Sequence, residues 1–387
     1  MRFQWNPAGT TLYVEAIVNE VRNIWRVKVD PKTLRWQAAE QMTVGGGADV
    51  GAALDGGGRR LVFTTERHVS RLWMYSLDAA GRRIIGEGTP LTPTDQRVGF
   101  SNLSPDGRSV AYAMTRPGSS RVDLWIVDIE SGHRELFAQG VIWAAWSPDS
   151  KTIAYSLFRD EPDAGNDSRV RKPGQWALAV RQLSGAERLL SPWSHEWALL
   201  PTDWTRDGAA IVGSYLKPVS AAATLALWPS STPSSMPARV LPAEPEASLW
   251  QARFSPNGRW LTFVIGRHTG AVGTELMVAP SGGAPAAHWR RIAADHIWAD
   301  KPRWASDGRT LYFLSPHHTG RFDLWGVAFD PVQGRPVGSP FVITQFDKPD
   351  HTISSDTGNT EMGVGGRRVL LTMASVTGNI WILDNVE

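Results

Sequence analysis

Hydrophobic and polar positions follow a ten-residue pattern that recurs along the whole chain. A large apolar residue opens each copy, glycine follows four places on, and a β-branched residue or leucine follows seven places on. Ser150 replaces the glycine in one copy. The eight copies begin at Trp5, Leu54, Leu103, Trp146, Trp204, Phe254, Trp304 and Met362. Adjacent starts lie 43 to 58 residues apart, a period that is typical of four-stranded β-propeller blades.

The residues inside each copy predict a β-hairpin. In Ser104-Pro105-Asp106-Gly107, proline presets the backbone for a turn, aspartate can bond the local backbone, and glycine supplies a positive φ. Apolar strands are predicted on both sides of the turn. About 20 residues after each start comes a third strand, which often carries tryptophan, as in DLWIVDI around Trp125. A fourth strand closes most units.

These elements predict an all-β fold, with residues 1–387 forming a single β-propeller domain of eight four-stranded blades. Seven blades is the alternative count, because units four and five are the least regular. The sequence ends just after the third strand of unit eight. Two explanations stay open: the last blade lacks its outer strand and exposes an edge, or the chain is a fragment of a longer protein.

Composition supports many short strands. Tryptophan accounts for 19 of 387 residues, and glycine and proline for 37 and 26. Nine tryptophans are predicted to pack between blades, because large rings fill the wedge between twisted sheets. They are the starts Trp5, Trp146, Trp204 and Trp304 and the third-strand residues Trp25, Trp73, Trp125, Trp325 and Trp381.

Charge and targeting signals exclude several classes of protein. With 40 basic and 38 acidic residues, the chain lacks the concentrated basic charge that nucleic-acid binding requires. It has no cysteine, which excludes disulfides, zinc–thiolate sites and cysteine nucleophiles. No apolar run is long enough for a membrane span or a signal peptide. This predicts a cytoplasmic protein as written, or a periplasmic one if the chain is a fragment of an exported or membrane-anchored protein.

The repeated (W/F)SPDG turn, followed by D-L-W-x-V-D, resembles the TolB-type, WD-like β-propeller repeat, and the resemblance covers essentially the whole chain. The closing GNIWILDN is similar to the ends of propeller modules joined to bacterial Ser/Thr kinases and winged-helix regulators. No kinase signature is present. The resemblance implies a propeller fold but no particular activity, because propellers serve as binding modules, scaffolds and enzymes.

The resemblance also implies that loops after the second and fourth strands line one face around the central channel. Most of the histidines and several arginines fall on these loops. The predicted ligand- or partner-binding face comprises Arg67, His68, Arg116, Arg121, His195, Trp197, Arg267, His268, Trp298, Asp300, His317, His318, Arg321 and His351. Such a polar and aromatic face suits an anionic ligand or a peptide. The competing interpretation is that the recurring arginines are architectural parts of the repeat.

Two groups have the chemistry of oxygen and imidazole metal ligands: Asp295, His296 and Asp300, and Asp347, Asp350 and His351. Neither has a recognised ligand spacing, so no metal and no cofactor is predicted. Serine-hydrolase, zincin, phosphate-loop and dinucleotide motifs are absent from the sequence. Residues 354–358 resemble a single sialidase-type Asp box and are interpreted as a turn.

Together these observations favour a non-catalytic module that binds a protein partner or a small anionic ligand, as a monomer or within a larger chain. The alternative is a lyase or hydrolase acting on an anionic sugar or peptide at the channel mouth. Convergence of histidine, glutamine or carboxylate side chains in the channel would favour that enzyme. A third hypothesis is a scaffold whose edge strand in blade eight pairs with a partner strand.

Overall fold

The regular secondary structure of the computed structural model is almost entirely antiparallel β-sheet. It describes residues 3–18, 21–45, 47–93, 98–115, 122–159, 174–217, 222–239, 246–268, 273–316, 320–346, 348 and 351–386. For His68, Ile142, Ala238 and Arg239 it describes the backbone alone. The described residues form thirty strands and one 3-10 turn at Ala286–His288. The predicted all-β fold is confirmed.

Each of the eight repeat units forms strands. Unit one forms β1 (Phe3–Trp5), β2 (Thr11–Val18), β3 (Val21–Val29) and β4 (Trp36–Gln41). Unit two forms β5 (Ala48–Leu54), β6 (Arg60–Leu77) and β7 (Ile84–Pro90). Unit three forms β8 (Val98–Leu103), β9 (Ser109–Thr115), β10 (Val122–Asp128) and β11 (Arg134–Gln139). Unit four forms β12 (Val141–Trp146), β13 (Thr152–Arg159), β14 (Gln175–Gln182) and β15 (Glu187–Leu189).

The second half of the chain continues the series. Unit five forms β16 (Ala198–Trp204), β17 (Ala210–Leu216), β18 (Thr224–Pro229) and β19 (Ala238–Arg239). Unit six forms β20 (Ala247–Phe254), β21 (Trp260–Arg267), β22 (Thr274–Pro280) and β23 (Arg290–Arg291). Unit seven forms β24 (Asp300–Trp304), β25 (Thr310–Pro316), β26 (Phe322–Asp330) and β27 (Arg335–Val342). Unit eight forms β28 (Thr352–Ile353), β29 (Met362–Gly365) and β30 (Arg368–Asp384).

The turn between the first and second strands has the predicted chemistry. Gly107 has a φ of 70°, and its N–H donates to the carbonyl of Ser104 over 2.9 Å. The Ser104 hydroxyl donates to the Asp106 carboxylate over 2.6 Å and accepts from the N–H of Ser109 over 2.9 Å. Where glycine is replaced, Ser150 adopts the left-handed conformation itself, with a φ of 59°. The turn is therefore specified locally by serine, aspartate and glycine.

The eight units form seven sheets. Units one and three to seven each form a four-stranded sheet in chain order, whereas units two and eight share a six-stranded sheet. In that shared sheet β6 and β30 each contain both the second and the third strand of their unit. Neither strand turns back on itself to form a hairpin. They run on and pair with each other from Arg60↔Asp384 to Ser76↔Arg368. Each unit thereby supplies the third strand of the other.

The exchange keeps the register of the repeat. In units one, three and seven, the third-strand tryptophan pairs with the residue nine places after the unit start: Trp25 with Val14, Trp125 with Tyr112 and Trp325 with Phe313. In the shared sheet, Trp381 of unit eight pairs with Phe63 of unit two. Trp73 of unit two likewise pairs with Leu371 of unit eight. Phe63 and Leu371 hold the same ninth position in their own units.

The exchange also determines where the outer strand is missing. Strand β7 pairs with the second half of β6, so the unit-eight half of the shared sheet has a fourth strand. The unit-two half consists of β5, the first half of β6 and the last part of β30. Ile380, Trp381 and Ile382 are exposed there. The sequence suggested that the last blade, unit eight, lacks its outer strand. The structure places the missing outer strand in the unit-two half instead, because the third and fourth strands of unit two pair within the unit-eight half.

First strands lie innermost and contact each other in cyclic order: β8 with β12, β12 with β16, β16 with β20, β20 with β24, β24 with β29, and β29 with β8. Strand β5 instead contacts β1, β2 and β3. Units three to eight therefore surround the channel, and unit one packs on the unit-two half beside them.

Three of the predicted blade-packing tryptophans join neighbouring units directly. The buried indoles of Trp146, Trp204 and Trp304 donate to carbonyls of Asn102, Ala145 and Arg253 over 3.0, 3.0 and 3.3 Å. Each acceptor lies on the inner strand of another unit. Trp5 and Trp381, by contrast, are exposed at 40% and 53%, because Trp5 lies in unit one and Trp381 lies in the unit-two half of the shared sheet, both outside the cyclic series.

Candidate functional site

A cleft of about 1060 Å³ opens where units one and two meet units seven and eight. Its walls come from the end of β2, from the start of β3, from β5, from the middle of β6, from residues 320–322 and from residues 352–360. The cleft thus lies at the point where β6 and β30 cross from one half of the shared sheet to the other.

Residues 354–361 form an excursion that interrupts the inner strand of unit eight. Ile353 pairs with Met373 and Met362 with Leu371, so the eight residues between them bulge out opposite Thr372. The excursion turns around Asp356, whose carbonyl accepts from the N–H groups of Asn359 and Thr360 over 3.0 and 2.8 Å. This is the segment interpreted from sequence as a turn.

The cleft carries charge of both signs beside apolar strand residues. Arg22 and Arg67 are exposed and Arg321 is half-buried, and all three line the cleft. Glu66 and Asp356 supply the acidic groups. Val50, Val69, Val98 and Val376 supply apolar surface between them. The lining therefore suits a ligand with apolar groups and anionic groups, which arginine recognises well.

A second set of polar groups lies in the channel next to the excursion. This channel cluster comprises Gln251, Arg253, Asp300, Lys301, Arg303 and Glu361. The Glu361 carboxylate accepts from Arg303 Nη2 over 2.6 Å and from the Gln251 amide. Lys301 Nζ lies 3.7 Å from Glu361 and 3.6 Å from Asp300.

Two residues of the channel cluster, Gln251 and Lys301, lie in bulges of the inner strands. The registers of β20 and β24 shift between Trp250 and Arg253 and between Asp300 and Arg303. Gln251 and Lys301 lie in these bulges with φ values of 55° and 57°, which is uncommon for residues other than glycine. A bulge re-aims a side chain out of the regular alternation of a strand.

Burial and charge oppose each other in the cluster. Burial raises the pKa of Glu361, but Lys301, Arg303 and Arg253 outweigh it and hold that pKa below its ordinary value. The pKa of Asp300 is raised above its ordinary value, because burial raises it and Lys301 offsets only part of the effect. Burial and the like charge of Arg303 lower the pKa of Arg253 to about 9. Arg253 therefore remains a cation at neutral pH.

Two predicted face residues, Arg67 and Arg321, line the cleft together. Arg116, Arg121, His317 and His318 lie outside the described residues, as does the side chain of His68. Arg267 is exposed and pairs with Glu275 over 3.5 Å. That contact fits the architectural interpretation of the recurring arginines.

The described histidines of the predicted face lie on loops of different units. His195 bonds to Gln175 (Nε2 to Nε2, 2.9 Å), and His268 Nε2 lies 3.0 Å from the Ser248 hydroxyl. His351 Nε2 lies 2.8 Å from the Tyr75 hydroxyl, and its ring packs edge-on against Trp73. Each ring bonds to a residue near its own loop, and they do not converge on one point.

Three further residues of the predicted face lie in different surroundings. Trp197 is in the core, where it packs against Trp228 with ring centroids 4.9 Å apart, because its apolar ring fills the space between units four and five. Asp300 is buried and belongs to the channel cluster. Trp298 is half-buried, and its indole N–H has no partner among the described residues.

The two candidate metal groups do not form a site in the part of the chain that the structure describes. Asp347 and Asp350 lie outside it. His296 contacts the Ser315 hydroxyl over 2.6 Å and packs against Phe313 and Trp325. Burial lowers the pKa of His296, although Asp295 raises it. Asp300 is turned instead toward Lys301.

No helix among the described residues is long and apolar enough to cross a membrane. No protein-family model and no curated protein sequence matches the chain.

Solved structures with the same fold do exist. A protein described as TolB from Agrobacterium tumefaciens superposes with a TM-score of 0.51 at 15% identity, over 81% of this chain and 99% of that one. TolB from Acinetobacter baumannii gives 0.47 at 11% identity, over 88% and 80%. Oligogalacturonate lyase from Vibrio parahaemolyticus gives 0.42 at 15% identity, over 85% and 89%.

The fold defines the class: this chain is a β-propeller. Within that class its fold is that of the TolB-type propellers, which confirms the resemblance drawn from the repeat. The similarity to kinase and winged-helix regulator modules stays a prediction.

Proposed function

We propose that the protein is a binding module and that its cleft takes an extended peptide segment, rich in acidic groups, from a protein partner. The single observation that carries the proposal is the cleft itself, with its volume of about 1060 Å³ and its three arginines. A cleft of this size is at the upper end of the range for small-molecule sites. An elongated ligand of several residues fits it better.

The lining supports a peptide in particular. Strand residues such as Val50, Val69 and Val376 offer apolar contacts along the cleft, and the excursion at residues 354–360 offers hydroxyl and amide groups. Arg22, Arg67 and Arg321 exceed Glu66 and Asp356 by one positive charge. Charge of this sign steers and orients an acidic partner.

An enzyme acting at the channel is a second candidate, favoured by the convergence of Gln251, Asp300 and Glu361 beside Lys301. Carboxylates beside a lysine are groups that general acid–base catalysis uses. Glu361, however, already pairs with Arg303 and Lys301, and every member of the channel cluster is at most 8% exposed. The cleft is the more accessible site for a ligand.

Binding to an array of peptides with graded numbers of aspartate and glutamate tests the proposal. Wild type is expected to select acidic sequences. Arg67→Ala/Arg321→Ala is expected to weaken the selected binding at least tenfold, which corresponds to about 1.4 kcal/mol. The matched control is Arg108→Ala/Arg309→Ala, which removes two exposed arginines from the turns at the other end of the strands.

Equal weakening in both double variants would mean general charge attraction, and would overturn the proposal. Selection of neutral or basic peptides would do the same. Turnover of a selected peptide, followed by mass spectrometry, would favour the enzyme.

A further inference from the structure

The channel cluster contains an arginine that forms no close ion pair with the other described residues. Arg253 lies on β20 and is 8% exposed. Its one hydrogen bond to a described residue runs from Nη2 to the Gln251 side-chain oxygen over 3.4 Å. Its Nε–H is buried and has no partner among the described residues. It forms no ion pair with any described carboxylate.

The nearby carboxylates form ion pairs with residues other than Arg253. Glu361 pairs with Arg303 over 2.6 Å and with Lys301 over 3.7 Å. Asp300 accepts from the N–H of Lys301 over 2.7 Å and lies 3.6 Å from its ammonium group. Asp203, at the edge of the cluster, pairs with Arg206 over 2.6 Å and accepts from the N–H of Phe254 over 2.8 Å.

The charges therefore do not balance. The described cluster holds three cations, Arg253, Lys301 and Arg303, against two carboxylates, Asp300 and Glu361. Adding Asp203 also adds Arg206, so the excess of one positive charge remains. Attraction to Glu361 and Asp203 offsets only part of the effect of burial and of Arg303 on Arg253, and a buried charge that is not fully compensated costs several kcal/mol.

We propose that a small inorganic monovalent anion of halide size binds in the channel at Arg253. The Nε–H group of Arg253 donates to the anion, and the anion balances the charge excess of the channel cluster. A guanidinium group offers five donors in a fixed plane, of which the described residues of this cluster use one. The site is separate from the cleft, because no residue of the channel cluster lines the cleft.

Thermal unfolding in chloride tests the proposal. Chloride is varied at constant ionic strength against gluconate, whose size keeps it out of a buried channel. For wild type the unfolding free energy is expected to rise by about 1.4 kcal/mol for each tenfold increase in chloride above its dissociation constant. Arg253→Met is expected to remove this dependence and to fold at least as stably as wild type in gluconate.

The matched control is Arg259→Met, which removes an exposed arginine close to Arg253 in sequence. It is expected to keep the chloride dependence. No chloride dependence in wild type, or an equal dependence in Arg253→Met, would overturn the proposal.

Crystals grown in sodium bromide give a test that does not depend on a variant. An anomalous difference peak is expected within hydrogen-bond distance of Arg253 Nε. Crystals that show bromide at other positions but none at Arg253 would overturn the proposal.

Discussion

Glu361 holds a central place among the side chains of the channel. It is the last residue of the excursion at residues 354–361, and its carboxylate accepts from Arg303 of unit seven and from the Gln251 amide of unit six. Its carboxylate is buried and yet remains ionised, because Lys301, Arg303 and Arg253 outweigh the cost of desolvation. A buried ion pair adds little net stability, but losing one partner is expensive, because the other charge then lacks compensation.

Glu361→Gln is accordingly expected to lower the free energy of unfolding by about 3–5 kcal/mol. Urea denaturation followed by tryptophan fluorescence measures the change. Glu275→Gln is the control, since Glu275 pairs with Arg267 and Arg291 at the surface, where a loss below about 1 kcal/mol is expected. Losses of similar size in the two variants would show that Glu361 does not balance the channel cations.

The ionisation of Glu361 is also expected to make the stability of the fold depend on pH. The pKa of Glu361 is lower in the folded protein than in the unfolded chain, where it is about 4.3. Its stabilising contribution is therefore complete above that unfolded value and is lost as pH falls through the folded pKa. Wild type is expected to lose more stability than Glu361→Gln between about pH 5 and about pH 3. Parallel stability profiles in urea would contradict this.

The sequence did not reveal the channel cluster. Gln251, Arg303 and Glu361 are 52 to 110 residues apart, and their meeting depends on the cyclic order of the inner strands. Gln251 and Lys301 also depend on bulges that no glycine marks. The loops, by contrast, pointed to Arg67 and Arg321, because an arginine after the second strand lies at the loop face in any propeller arrangement of these repeats.

At the scale of the elements, the repeat predicted the turns, the hairpins and the third strands, because each is specified by nearby residues. It did not predict the exchange between β6 and β30. Trp73 and Trp381 hold the same position in their units, so either third strand satisfies the pattern of either unit. Which third strand pairs with which unit depends on the whole chain and cannot be predicted from the local sequence.

The exchange predicts which cysteine pair forms a disulfide. Val62 and Ile382 are exposed and pair across β6 and β30, and the chain has no native cysteine. Val62→Cys/Ile382→Cys is expected to form an intramolecular disulfide under mild oxidation, detected by non-reducing peptide mass spectrometry.

Val62→Cys/Met74→Cys is the control pair, which tests the alternative in which the second and third strands of unit two form a hairpin with each other. The common register, with Trp73 opposite Phe63, would place Met74 opposite Val62 in that hairpin. In the exchanged strand they lie 12 residues apart, roughly 40 Å. A disulfide in this second pair instead of the first would contradict the exchange.

For the whole molecule, the exchange and the cleft are connected. Units three to eight surround the channel, while unit one and half of unit two pack beside them. The cleft lies between these two parts, and β6 and β30 pass through its wall. Length and repeat count predicted eight units but not this division, because the arrangement depends on which unit receives each third strand.

Hydrogen–deuterium exchange with a selected acidic peptide tests the central claim most directly, because it locates the ligand on the intact protein. The account predicts slower exchange on binding at residues 66–70 and 352–360, both of which contribute to the lining of the cleft. It predicts no change at the turns around Gly107 and Gly308. Protection confined to those turns, or to the exposed edge of β30 at Ile380–Ile382, would contradict it.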